Sequence, residues 1–354
     1  MNNDHLIAEI ESLIRRDPAR RGLIGADGNG PGNGELVTAT RLFLNRPTGI
    51  GLMTGFFIPA TVVTPADRRT DSREFAGSNH PTGHAETDGP PGTVLLADVL
   101  TGLGIPVTLI TDELCEPVLR AACTAGSRHD LQILVSPIDQ SSAAEWRFET
   151  LKQERFQQIS HFVAIERVGP GYTAVRLPDA PENATRRSEP ASPWQPGHCC
   201  NMRGESIDVF SADLHLLVET AKANNPTLQV IGIGDGGNEI GMGRFPWSEL
   251  RARLTGPHAD RVPCRVQADA TIVAGVSNWG AYALAAAIAI KYDRVDLLER
   301  HTAEDQQQVL DAIVQKAGAV DGVTRQNEST VDGLPFLTQI QPWIAIRQRL
   351  GLSP

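Results

Sequence analysis

The sequence predicts an α/β fold: a mainly parallel sheet with helices on both faces, folded as a single large domain over residues 1–354. Two observations carry this. Short apolar runs, most of them rich in Val and Ile, recur at 49–57, 107–111, 131–135, 162–165, 228–233 and 270–274. Helical patterns alternate with them at 93–103, 113–125, 143–157, 207–224, 278–291, 303–317 and 335–349. Strands buried on both faces read as continuous apolar runs, and their alternation with helices points to parallel crossover units.

The elements follow in order. Leu6, Ile7, Ile10, Leu13 and Ile14 share one face of a helix over 4–16. The Gly-rich stretch at 25–34 reads as a flexible loop, because no strand precedes it as a phosphate loop would require. Residues 35–44 form a second helix, and the strand–helix alternation begins after it. Two polar segments, 64–84 and 177–198, lack the apolar content to fold alone and read as surface loop insertions. His80 and His84 have metal-ligand spacing, but Pro81 and Gly83 exclude the helix that would use it.

Composition excludes several classes. The net charge is −10 with no basic block, which argues against nucleic acid as a partner. No apolar run is long enough to span a bilayer, so no membrane partner is expected. The acidic start lacks the features of secretory and transit peptides, and the expected location is cytoplasmic. Five cysteines without paired CxxC spacing favour neither a zinc site nor a disulfide scaffold. The oligomeric state stays open, a homo-oligomer included.

Function in an open α/β sheet sits at the carboxyl ends of the strands, and polar groups there stand beside glycines. Glu86 and Asp88 lie in Glu86-Thr87-Asp88-Gly89-Pro90-Pro91-Gly92 at a helix entrance, where Asp88 reads equally as a cap. Asp235, Asn238 and Glu239 lie in a glycine turn over 232–243. An acid inside that turn would repel a pyrophosphate, so the turn reads as facing an amine or a metal. Ser277 and Asn278 open a helix whose first amides could take a carboxylate. Glu166-Arg167 and Arg203 offer forks for a carboxylate, with a loop-stitching ion pair as the other reading. Glu328 and Asp332 lie in a long polar loop before the last helix.

Taken in order, ETDGPPG, IERVG, NMRG, GIGDGGNEIGMG, VSNWGAYAL and NESTVDGLP resemble the D-glutamate cyclase family over about residues 5–349. The resemblance implies a carbon–oxygen hydro-lyase that closes D-glutamate to 5-oxo-D-proline and water. It also implies a chain matching the cyclase region, without the hydro-lyase-like domain that precedes it in mammals. Chemistry then suggests roles. Asp235 and Glu239 stand near the amine, with Glu86 and Asp88 as a second acidic group. Arg203 and Arg167, with Glu166, Asn238, Ser277, Asn278, Glu328 and Asp332, contact the substrate. Glu86, Asp88, Asp235 and Glu239 are candidate ligands for Mn²⁺ or Mg²⁺, both of which prefer oxygen. Two other readings remain: a nucleotide-dependent enzyme using the 232–243 turn, and a non-catalytic amino-acid sensor.

Overall fold

The computed structural model describes residues 3–60, 82–127, 129–176, 185–188 and 197–353. Helices α1 (Asn3–Ile14) and α2 (Glu35–Leu42) lead to β1 (Ile50–Thr54) and to the short hairpin partners β2 (Phe57–Pro59) and β3 (Gly83–Ala85). Then come α3 (Pro90–Gly102), β4 (Val107–Asp112), α4 (Glu116–Gly126), β5 (Gln132–Ser136), α5 (Gln140–Lys152), α6 (Glu154–Gln157) and β6 (His161–Ile165). A ribbon of β7 (Thr173–Arg176) and β8 (Thr185–Ser188) precedes α7 (Leu214–Asn224) and β9 (Gln229–Gly234). The chain ends through α8 (Trp247–Arg253), β10 (Ala270–Val273), α9 (Ser277–Lys291), α10 (Ala303–Ala317), the pair β11 (Thr330–Val331) and β12 (Leu334–Pro335), α11 (Phe336–Gln339) and α12 (Gln341–Arg349).

Six strands form one parallel sheet in the order β10-β9-β6-β1-β4-β5. Alternate side chains enter two cores. Leu52, Leu109, Val163 and Ile231 enter one core with residues of α3 and α9, whereas Met53, Ile110, Phe162 and Val230 enter the other with residues of α7. This two-residue alternation, apolar on both sides, is the reason the strands read as unbroken apolar runs. Counted in chain order among themselves, the six strands run 3-2-1-4-5-6. The winding therefore reverses between β1 and β6, which opens a crevice beyond their carboxyl ends.

Several boundaries differ from the sequence reading, each for a local reason. The run at 49–57 breaks at Gly55, where φ is 116° and an added Cβ would lie 2.6 Å from Cys115 Cβ. The 143–157 helix divides at Gln153, whose ψ of 129° is extended, and 335–349 divides at Ile340. The expected helix over 207–224 has only a 3-10 turn at Asp208–Phe210 before α7. Within the expected loop 177–198, residues 185–188 are instead strand β8. Residues 177–184 and 189–196 lie outside the described residues, as do 64–81 of the other insertion, His80 included.

The stretch at 25–34 is not a flexible loop. The buried Arg15 guanidinium donates to the carbonyls of Gly28, Gly30, Pro31 and Val273 at 2.9–3.2 Å, which clamps the segment to the end of β10. Arg15→Ala leaves these carbonyls without their donor. It is expected to lower unfolding stability by about 2–3 kcal/mol, read from urea denaturation midpoints at unchanged slope.

Candidate active site

A cavity of about 240 Å³ lies in the crevice at the strand ends. It is smaller than the ~300 Å³ at which sites for drug-sized ligands begin, a scale that suits an amino acid. Phe56 follows β1, Glu166 follows β6, and Asp235 follows β9, and all three line it. A larger groove beside α7 lies near the amino ends of β9 and β10. Its charges are already paired, Arg265 with Glu219 and Lys222 with Asp269.

The helix starts of α3 and α9 face each other and cap each other. Asp88 Oδ1 accepts from the Asn278 amide and Oδ2 from the Ser277 amide, both at 2.8 Å. In return Asn278 Oδ1 accepts from the amides of Gly89 and Gly92 at 3.1 and 2.8 Å. Gly89, at φ 98°, lets the chain pass where a Cβ would meet Thr54 Oγ1 and Glu166 Cβ. The expectation that the amides of Ser277 and Asn278 hold a substrate carboxylate is thus corrected: Asp88 already occupies them. The Ser277 hydroxyl donates to Glu166 Oε2 at 2.5 Å and so orients that acid.

The glycine turn closes on its own acid. Glu239 accepts from the amides of Asp235, Gly236 and Gly237 at 3.0, 2.6 and 2.7 Å. Its carboxylate shapes the turn, which corrects its expected place near the substrate amine. The amides that would cradle a phosphate are spent on it, so the nucleotide reading loses its anion site. Asn238 donates to the Cys200 carbonyl at 2.9 Å and ties the turn to the segment that carries Met202 and Arg203 over the cavity.

Glu86, Asp88, Glu166, Asp235 and Asp332 are all buried. Burial, reinforced by Glu166, Asp88 and Asp332, holds Glu86 well above the usual carboxyl range. Burial and the nearby Glu239 and Asp88 do the same to Glu166. Burial raises Asp235 although Arg21 opposes it. Burial and Asp332 push Asp88 up to about 7 against the Ser277 and Asn278 amides. Glu86 Oε1 is buried without a hydrogen-bond partner.

Arg21 is the cation among them. It pairs with Asp235 and, through two nitrogens at 2.5 and 3.1 Å, with Asp332. Its backbone is set by Asp17, which accepts from the amides of Arg21 and Gly22. No motif spacing marks Arg21 in the sequence, and its loop position gives no periodic signal. Asp332, which the sequence did mark, is brought to the cavity's edge by this pair with Arg21.

Arg167 does not. It is 1% exposed and donates to Gly55 O, Asp112, Ser211 Oγ and Ala212 O, which corrects its role as a substrate clamp. With no free face toward the cavity, it staples the end of β6 to the ends of β1 and β4. Glu328 is exposed and does not line the cavity, so it is also set aside. Arg203 does line it, and so does Arg325, which the sequence reading passed over.

A family model described as D-glutamate cyclase-like, C-terminal, matches residues 10–175 and 187–344. The chain belongs to the D-glutamate cyclase-like family. Human mitochondrial D-glutamate cyclase is 31% identical over 291 residues, which is 81% of this chain and 39% of that protein. The chain thus spans about two fifths of the length of this relative. Among the described residues, no helix is long and apolar enough to cross a membrane.

Among the described residues of this cyclase-like chain, two sets of carboxylates approach closely enough to share a cation: Asp88, Asp235 and Asp332, and Glu166, Asp235 and Glu239, with ligand atoms within 4.8 Å. Glu86 is in neither set, which changes the ligand group expected from sequence. In the first set Arg21 already neutralises Asp235 and Asp332.

The acids couple stability to pH. A carboxyl whose folded pKa is raised keeps its proton more readily in the native state, so its contribution is fully present below the unfolded pKa. That contribution is lost as pH rises through the folded value. Glu166→Gln keeps the shape and removes the ionisation. The melting-temperature difference, variant minus wild type, is expected to be more positive at pH 8 than at pH 5. Scanning calorimetry at the two pH values checks it, and equal differences would mean that Glu166 titrates normally.

Proposed function

We propose that the cavity closes D-glutamate to 5-oxo-D-proline and water. The observation that carries the reading is a floor of buried carboxyl groups with raised proton affinity beside the paired Arg21 guanidinium, in an amino-acid-sized cavity. Ring closure joins the α-nitrogen to the γ-carboxyl carbon and breaks one carbon–oxygen bond. The nitrogen enters as an ammonium and gives up two protons, and both leave on the departing oxygen as water. The site therefore needs groups that accept and return protons near neutral pH, which ordinary surface carboxylates do poorly. Burial that raises a carboxyl group's proton affinity moves it toward that role.

In this reading Asp235 takes the first proton from the ammonium, and Glu166 or Glu86 delivers protons to the leaving oxygen. Arg21 offsets the charge that builds on the γ-carboxyl oxygens in the tetrahedral state. Asp88 and Glu239 act as positioning residues: one locks α3 to α9, the other holds the turn that presents Asp235. The family relationship and the human relative's name support the substrate. A non-catalytic sensor would bind the same amino acid without converting it.

A divalent ion, Mn²⁺ or Mg²⁺, is part of the proposal as a group that Asp88, Asp235 and Asp332 would hold in competition with the Arg21 guanidinium and the Ser277 and Asn278 amides that already occupy them. When bound it would supply charge for the γ-carboxyl oxygens in place of Arg21. If it is required, chelation with confirmed metal removal abolishes activity and add-back restores it. Full activity after removal leaves Arg21 as the resident cation.

Incubation with D-glutamate or L-glutamate, followed by NMR and chiral chromatography, tests the function. Loss of D-glutamate with equal gain of 5-oxo-D-proline is the expected result, and binding without turnover would leave the sensor. Asp235→Asn is expected to lower kcat by about 10²–10⁴-fold, the range for losing a general acid or base. Activity of this variant within a factor of a few of wild type would remove Asp235 from the chemistry.

A further inference from the structure

Three arginines line the cavity, and they are not equivalent. Arg21 is committed to Asp235 and Asp332. Among the described residues, the guanidinium groups of Arg203 and Arg325 make no hydrogen bond or ion pair, and Arg325 Nε is buried without a partner. A buried donor left unpaired is rare in folded proteins and calls for an acceptor that comes from elsewhere.

Both side chains are free while their backbones are fixed. Asn201 Oδ1 accepts from the amides of Arg203 and Glu205 at 2.9 and 3.1 Å, and Asn238 holds the adjoining Cys200 carbonyl. Asp321, fully buried, accepts from the amides of Val323, Thr324 and Gly333 and from the Thr330 hydroxyl, all at 2.7–2.8 Å. The Asp321 carbonyl accepts from the Arg325 amide, and Arg325 itself is held at φ 59°. Two separate loops thus bring unpaired forks to one cavity whose floor is acidic.

The proposed reaction gives these forks a partner, and the inference rests on that reading. The amine and the γ-carboxyl must both reach the acidic floor to react. The α-carboxylate is a spectator, and the acidic floor offers it no unpaired cation. We propose that Arg325, together with Arg203, grips the α-carboxylate and makes the site specific for an amine that carries a carboxylate on the same carbon. Amine, γ-carboxyl and α-carboxylate then define three fixed points, which is the minimum needed to tell D from L.

The test compares D-glutamate with 4-aminobutyrate, which has the amine and the γ-carboxyl but no α-carboxylate, and with glutarate, which has both carboxylates and no amine. Alanine at φ 59° is strained, so Arg325→Gly is made alongside Arg325→Ala and Arg325→Lys, with Arg203→Ala as a fourth variant. Calorimetric affinities for D-glutamate and glutarate are expected to fall about 10- to 100-fold in Arg325→Gly, the scale of losing charge-assisted hydrogen bonds. The KM for D-glutamate should rise in parallel, 4-aminobutyrate should change little, and Arg325→Lys should recover part of the loss.

Unchanged D-glutamate affinity in Arg325→Gly and Arg325→Ala overturns the grip, and so does an equal loss for 4-aminobutyrate. Wild-type protein that binds D-glutamate and glutarate through Arg325 but turns nothing over keeps the grip and overturns the cyclase reading. Wild-type protein that binds neither overturns both.

Discussion

Among the described residues, six carboxyl groups, Glu239 included, are buried at the switch point of the sheet beside a single paired guanidinium, and this electrostatic load shapes the rest of the site. Like charges in a low-dielectric space cannot all ionise, so the cluster keeps protons that the same groups would release in water. Two of these acids are matched to fixed dipoles. Asp88 receives two amides from the start of α9, and Glu239 receives three from its own turn. The helix pair α3 and α9 is therefore joined through its polar ends as well as its apolar flanks. The acids left without such donors, Glu86 above all, are those most available for proton traffic.

Backbone strain falls at the same place. Three of the five non-glycine residues at positive φ among the described residues are Glu166, Arg325 and Asp332, and each lines the cavity or pairs within it. Such conformations cost of order 1–3 kcal/mol each and persist only where the surroundings hold them. Here the holders are visible. The Ile233 carbonyl accepts from the Glu166 amide, and Asp321 organises the loop that carries Arg325 and Asp332. Arg167, read from sequence as a substrate contact, is one of these holders. Its buried pair with Asp112 fixes the strand ends from which Glu166 projects.

The sheet was legible because all its strands but the half-buried edge strand β5 are buried on both sides, and burial of that kind writes itself as apolar runs. The acidic positions were legible because Glu86, Asp88 and Asp235 directly follow strands or precede a helix beside glycines. What the sequence could not reveal was direction. Whether a carboxylate such as Glu239 faces a ligand or its own backbone depends on the closure of one turn, and both outcomes use the same letters. Arg21 and Arg325 were illegible for a related reason: each reaches the site from an irregular loop, where no periodicity links a residue to its neighbours in space. Asp17 and Asp321, the residues that fix those loops, act over two to twelve positions and leave no pattern distinguishable from an ordinary turn.

The strand order also explains why the glycine turn misleads. The order is that of doubly wound dinucleotide-binding sheets, in which the phosphate-binding glycines follow the first strand and hand free amides to the anion. Here the glycines follow β9, the fifth strand of the sheet, and their amides go to Glu239. An internal carboxylate occupies the position an external phosphate would need, with its negative charge already supplied by the chain. The same geometry that removes a phosphate site leaves Asp235 at the tip of a rigid turn beside Arg21. A turn satisfied from within needs no ligand to order it, so Asp235 stands in place before any substrate arrives. That pre-organisation is what proton transfer to a small amino acid demands of a carboxyl group.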